Sequence, residues 1–173
     1  MNVLAEFKKV TTFIFDIDGV LTDSTVLLLE GGLQARRMNI KDGLGLQMAV
    51  RNGFKVVAIS GSYSEPVMQR LAKLGIDEVQ MSVLDKKVFV ENYISKNNLK
   101  WDEVLYMADD LPDVALMQRV GLPCCPADAV PEILEISKYI SPVGGGLGCA
   151  RDVIEKVLRV QDKWIFHDDV VSK

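Results

Sequence analysis

Short apolar runs alternate along this chain with longer stretches in which apolar residues recur every three or four positions. The runs at 10–15, 55–59, 78–80, 104–108, 122–124 and 139–140 read as strands, because a strand buried on both faces of a parallel sheet is nearly continuously hydrophobic. Helices are predicted over 43–52, 65–74, 86–97, 112–120, 130–137 and 150–161, where the apolar positions follow a helical period. Gly53, Gly75 and Gly121 follow three of them as C-caps. Ser64-Glu65-Pro66 reads as a helix start, with serine as N-cap and proline in the first turn. Strands alternating with helices predict an α/β fold, a Rossmann-like, doubly wound parallel sheet with right-handed crossovers.

One segment breaks the alternation. The leucine-rich stretch 25–29, then Glu30-Gly31-Gly32, then 33–40 reads as a β-hairpin with a glycine turn. It is a small insert at about 24–40, directly after the first strand. Such a hairpin either folds onto its own domain or packs with hairpins from other copies. The second is favoured, because an exposed apolar patch usually marks an interface. The expected organisation is a single domain over 1–161 followed by a polar C-terminal tail over 162–173. Neither an internal repeat nor a low-complexity segment is evident.

The first strand ends abruptly in Asp16-Ile17-Asp18-Gly19-Val20-Leu21-Thr22-Asp23. Ligands of open α/β sheets sit beyond the carboxyl ends of the strands, and alternation along a strand would turn Asp16 and Asp18 to one side. Two close carboxylates repel unless a cation or a shared proton lies between them. The other strand ends add Ser60-Gly61-Ser62, Asp109-Asp110 with Asp113 one turn on, and Asp85-Lys86. One crevice is therefore expected to gather Asp16, Asp18, Ser60, Lys86, Asp109, Asp110 and Asp113. Hard oxygen ligands suit Mg²⁺, and lysine with a hydroxyl suits phosphoryl oxygens. A carboxylate nucleophile can form an aspartyl-phosphate, while a second carboxyl serves as acid and base.

Composition narrows the partners. A formal net charge of −4, a pI near 5.1 and the lack of a Lys/Arg block argue against a nucleic-acid backbone partner. No apolar stretch approaches the roughly 20 residues that span a bilayer, and residues 1–9 lack the apolar core of a signal peptide. Three cysteines, two of them adjacent, make no disulfide framework, so a reduced cytoplasm is the expected setting. Cys124, Cys125 and Cys149 read as small core residues. His167, the single histidine, lies in the tail, which speaks against histidine phosphoryl transfer and a histidine-rich zinc site. The glycine run 144–148 carries no Gly-Lys-Ser/Thr, so it is no nucleotide P-loop. A mobile loop over the site and a plain flexible turn both remain open for it.

Taken in order, Asp16-x-Asp18-Gly19-x-Leu21-Thr22-Asp23, Ser60-Gly61, Lys86 and Asp109-Asp110-x-x-Asp113 resemble the four motifs of the haloacid dehalogenase-like phosphatases. The hairpin insert, Asn39-Ile40-Lys41-Asp42-Gly43 and the glycine run followed by Arg151-Asp152 narrow the resemblance to the 3-deoxy-D-manno-octulosonate 8-phosphate phosphatases and their sialic-acid-type 9-phosphate relatives. The resemblance implies Asp16 as nucleophile and Asp18 as acid and base. It implies Mg²⁺ held by Asp16, the backbone carbonyl of Asp18 and Asp109. Ser60, Gly61 and Lys86 would bind the phosphoryl group, with Asp110 and Asp113 in support. Arg70 sits where relatives carry an arginine that helps with substrate at a subunit interface.

It also implies a cytoplasmic homotetramer built through the hairpin, acting on a small phosphorylated sugar acid in lipopolysaccharide precursor synthesis. Three departures stand out: Ala108 for a glycine, and Ser62 and Leu147 for arginines common in octulosonate phosphatases. The last two leave a nonulosonate 9-phosphate as an alternative substrate. A receiver-like module, or an idle oligomerisation module, is the alternative of another class. A receiver carries its phospho-acceptor on a middle strand, whereas here the paired aspartates end the first.

Overall fold

A computed structural model describes residues 3–76 and 78–165. His167 and the part of the expected tail from 166 onward lie outside the described residues. The chain runs α1 (Val3–Lys9), β1 (Thr12–Asp16), β2 (Leu27–Leu28), β3 (Gln34–Ala35), α2 (Ile40–Arg51), β4 (Lys55–Ile59), α3 (Glu65–Lys73), β5 (Glu78–Gln80), α4 (Lys86–Lys96), β6 (Val104–Met107), α5 (Val114–Met117), β7 (Leu122–Cys125), α6 (Pro131–Ile136), β8 (Tyr139–Ile140) and α7 (Cys149–Val160). Six strands form one parallel sheet in the order β5-β4-β1-β6-β7-β8, and β2-β3 is a separate antiparallel hairpin. β1 lies at the centre, and the sheet winds outward from it in both directions.

Alternation along the central strands divides the core in two. Phe13, Phe15, Val56, Ala58, Leu105 and Met107 face α1, α2, α3 and α7. Ile14, Val57, Ile59 and Tyr106 face α4, α5 and α6. The apolar runs are thus buried on both faces, which is why they carry no polar alternation. The three cysteines are free and buried, as small core residues.

Several boundaries differ from the sequence reading. The helix expected over 112–120 is only α5 after a turn at Leu111–Asp113, since Pro112 and the capping Asp110 hold the first turn tight. α1 was not expected; Phe7 alone of its residues is buried, too little for a periodic signal. Ser64 occupies the N-cap of α3 but its side chain makes no capping bond. Gly53 and Gly75 take positive φ after their helices. Gly121 does not, and is glycine because a Cβ there would lie 2.4 Å from the Asp102 carbonyl oxygen. The hairpin arms shrink to two-residue strands, with an isolated bridge from Thr22 to Met38 at the base.

α2 and α7 pack together and share a buried charge. Asp42, in the first turn of α2, is 2% exposed and accepts a 2.6 Å bond from the Arg151 amide at the start of α7, where the helix dipole favours an anion. Its second oxygen has no hydrogen-bond partner. Burial pushes its pKa up to about 6 despite the Arg151 amide. A carboxyl raised in the folded state contributes stability below its unfolded pKa near 3.8 and loses it as pH rises through 6. Asp42→Asn should therefore gain on the native protein by about 2 kcal/mol between pH 4 and pH 8, whatever its fixed packing cost. Denaturant unfolding of both proteins across that range checks it; a pH-independent difference would refute it.

Candidate active site

β1 delivers Asp16 to the carboxyl edge of the sheet, and there the strand stops. The backbone turns through Ile17–Leu21, with Gly19 at φ +88°. A Cβ on Gly19 would lie 1.9 Å from an oxygen of Asp109, so this position admits only glycine. The period of two that would set Asp16 beside Asp18 ends here, and the two carboxylates take different partners.

Asp16 shares the parity of Ile14 and so belongs to the face covered by α4. It is 6% exposed. Its Oδ1 accepts from its neighbour's amide, Ile17 N, at 2.8 Å and pairs with Lys86 Nζ at 2.8 Å. Lys86 opens α4, whose N-cap Asp85 accepts from Val88 N. The same ammonium reaches Asp113 Oδ2 at 2.9 Å, and the buried hydroxyl of Tyr106 donates to Asp113 Oδ1 at 2.6 Å. This chain, Tyr106 to Asp113 to Lys86 to Asp16, is almost wholly shielded from water. Burial raises Asp16 to about 7, with Lys86 opposing and Asp113 adding to the rise. Burial opposes the charge on Lys86, but Asp16 and Asp113 outweigh it and hold its pKa above the ordinary range.

Asp18 is half-buried and lies in a different net. Arg36 Nε donates to its Oδ1 at 2.6 Å, while Ser62 Oγ and Ser60 Oγ donate to its Oδ2 at 2.5 and 3.1 Å. Burial works against its charge, yet the Ser62 and Arg36 bonds prevail and keep its pKa below the usual carboxylate range.

Asp16, Asp18, Ser60, Gly61 and Lys86 line one open crevice of about 650 Å³, rimmed by Leu84, Pro112 and Ala115. Of the other expected site residues, Asp113 lies buried behind Lys86. Asp109 packs against Gly19 and accepts from Ser24 Oγ at 3.2 Å. Asp110 is turned to the Leu111 amide as a cap. Arg70 is not in the crevice; with Arg36, Ser64 and Met38 it lines a neighbouring cavity of about 310 Å³ between the hairpin and α3.

The glycine run forms a turn over 145–148 that packs against the backbone after β1. Gly146 N donates to Val20 O at 2.9 Å, and a Cβ on Gly145 would lie 2.0 Å from Gly19 O. It is a backbone buttress under the turn that carries Asp18, held in place by Asp128 accepting from Gly145 N at 2.8 Å.

The donor set suits a hard divalent cation. Burial pushes Asp109 up to about 6, and the charges of Asp110 and Asp113 add to it, so Asp16 and Asp109 both carry negative charge at a cost that a cation would relieve. Among the described residues no group of three or more His, Cys, Asp or Glu side chains is gathered for a metal. A cation here would draw on two carboxylates and backbone or solvent oxygen.

Sequence reasoning missed Arg36, Ser24 and Tyr106. Tyr106 had a signal, since a phenol inside an otherwise apolar strand needs a buried partner. Arg36 had none: it belongs to no motif and arrives from the hairpin.

No family model matches the chain. Among curated proteins it is 30% identical over 162 residues to the 3-deoxy-D-manno-octulosonate 8-phosphate phosphatase KdsC of Escherichia coli K12, covering 94% of this chain and 86% of that one. The crystal structure of the phosphatase of that name from Yersinia pestis superposes with a TM-score of 0.91 at 29% identity, covering 93% and 87% of the two chains. That from Moraxella catarrhalis, in complex with a magnesium ion, a phosphate ion and KDO, superposes with a TM-score of 0.90 at 27% identity, covering 94% and 93%. This level of identity across nearly the whole chain, on the same fold, shows that it belongs to the KdsC family of haloacid dehalogenase-like phosphatases and is a phosphoric monoester hydrolase.

Proposed function

We propose that this enzyme hydrolyses 3-deoxy-D-manno-octulosonate 8-phosphate to the free sugar acid and phosphate, in the cytoplasm, in lipopolysaccharide precursor synthesis. The observation that carries the reading is a buried carboxylate, Asp16, paired at 2.8 Å with Lys86 on the wall of a crevice that also presents Asp18, Ser60 and Gly61. Relatives named for this activity, and a neighbour bound to phosphate and KDO, support the choice of substrate.

The ester's phosphoryl group sits against Lys86, Ser60 and the Gly61 backbone, which neutralise and orient its oxygens. Asp16 Oδ attacks phosphorus as the bond to the sugar oxygen breaks, and Asp18, which takes up a proton from water once its Arg36 and serine bonds are released, gives that oxygen its proton. Asp18 then takes a proton from water, whose oxygen attacks phosphorus and releases phosphate and free Asp16. Asp16, Asp109 and the Asp18 carbonyl would hold Mg²⁺, which when bound lets a carboxylate approach a dianion. Asp113 keeps Lys86 turned to Asp16, and Asp110 holds the turn after β6.

The hairpin leucines, with Leu27 63% and Leu28 74% exposed, suit packing among copies into a homotetramer, with Arg70 contacting substrate at the subunit boundary. Ser62 and Leu147, standing where octulosonate phosphatases commonly carry arginine, favour a second reading, a nonulosonate 9-phosphate.

Phosphate release from octulosonate 8-phosphate, nonulosonate 9-phosphates and hexose phosphates decides the substrate. The octulosonate ester is expected to lead, and Asp16→Asn to lower its turnover by at least about 10³-fold; retained activity in that variant would sink the mechanism. Chelation with EDTA is expected to reduce turnover to background and added Mg²⁺ to restore it, read in the same assay. Leu28→Glu should shift the sedimentation profile from tetramer toward smaller species while leaving far-UV circular dichroism unchanged.

A further inference from the structure

The hairpin exposes its leucines yet sends one charged side chain inward. Arg36, just after β3, has a side chain only 5% exposed, and its guanidinium divides between two partners. Nε donates to Asp18 Oδ1 at 2.6 Å and Nη2 donates to Ser62 Oγ at 3.2 Å. It also lines the 310 Å³ cavity between the hairpin and α3, whereas Asp18 and Ser62 line the larger crevice. Arg36 therefore stands at the junction of the two spaces.

Its present partner has other work. When Asp18 turns toward the ester oxygen, the buried guanidinium is left with one serine hydroxyl. A buried arginine without a carboxylate is costly, and its planar fork suits a carboxylate above other groups. The proposed substrate brings one. Resting on the reading of the function given above, we infer that Arg36 is a specificity-determining residue: it exchanges Asp18 for the carboxylate of the sugar acid, supplying from the hairpin the guanidinium that position 62 lacks. Ser62 then acts as the hydroxyl that steadies Nη2 through the exchange. Discrimination for acids over neutral sugars follows, because a substrate without a carboxylate leaves Arg36 on Asp18.

The test compares kcat/KM for octulosonate 8-phosphate with kcat/KM for p-nitrophenyl phosphate, which has no carboxylate, in the native enzyme, Arg36→Gln and Arg36→Lys. Both activities are expected to fall in Arg36→Gln, since Asp18 loses a partner. The ratio of the two should fall as well, by about tenfold to a hundredfold, mainly through KM for the sugar acid ester. Arg36→Lys should recover part of the ratio. A ratio unchanged in both variants would overturn the assignment and leave Arg36 as a structural support of Asp18. Absence of phosphate release from any sugar acid ester by the native enzyme would instead overturn the proposed function itself.

Discussion

The arrangement depends on keeping one buried carboxylate usable. Asp16 sits at the end of the central strand with almost no contact with water, where an isolated anion would take up a proton. Lys86 opposes that outcome, and Lys86 is itself kept charged by sharing its ammonium with Asp113. Tyr106 completes the arrangement from below. The parity of β1 and β6 matters here: Ile14 and Tyr106 are registered partners facing α4, so the same alternation that buries them aims Asp16 at the first residue of that helix.

A second constraint is the close approach of backbone to backbone. The turn that carries Asp18 has Asp109 against one side of Gly19 and the run around Gly145 against the other. Neither approach leaves room for a Cβ. The glycine-rich segment thus lays its backbone directly against this turn, a contact its composition alone did not reveal.

The hairpin links the interior to the exterior. Its apolar residues face outward while Arg36 reaches back to the Asp18 carboxylate. Anything that repositions the hairpin, packing against another copy included, would act on Asp18 through this one guanidinium. Exposed leucines on such short strands are marginal as a free structure, so the docked Arg36 also fixes where the hairpin lies.

How much was legible in the sequence follows from which interactions are local. The six strands, most of the helices and the placing of Asp16, Lys86 and Ser60 at strand and helix ends came from apolar periodicity and from the abrupt change to polar residues where a buried strand meets solvent. Those signals arise within a few residues, so the chain displays them directly. The partners of Asp18, the buttressing role of the glycine run, the separation of Arg70 into a neighbouring cavity and the shortness of α5 did not show. Each depends on residues far apart in sequence: Arg36 and Ser62 meet Asp18 across the hairpin and the end of β4, and Gly145 meets Gly19 from near the other end of the chain. The chain's own pattern was enough for the fold class and for the polar residues that end its strands; which of these faces which was settled in three dimensions, because hydrogen-bond partners and close backbone contacts are set by spatial distance and leave no period along the chain.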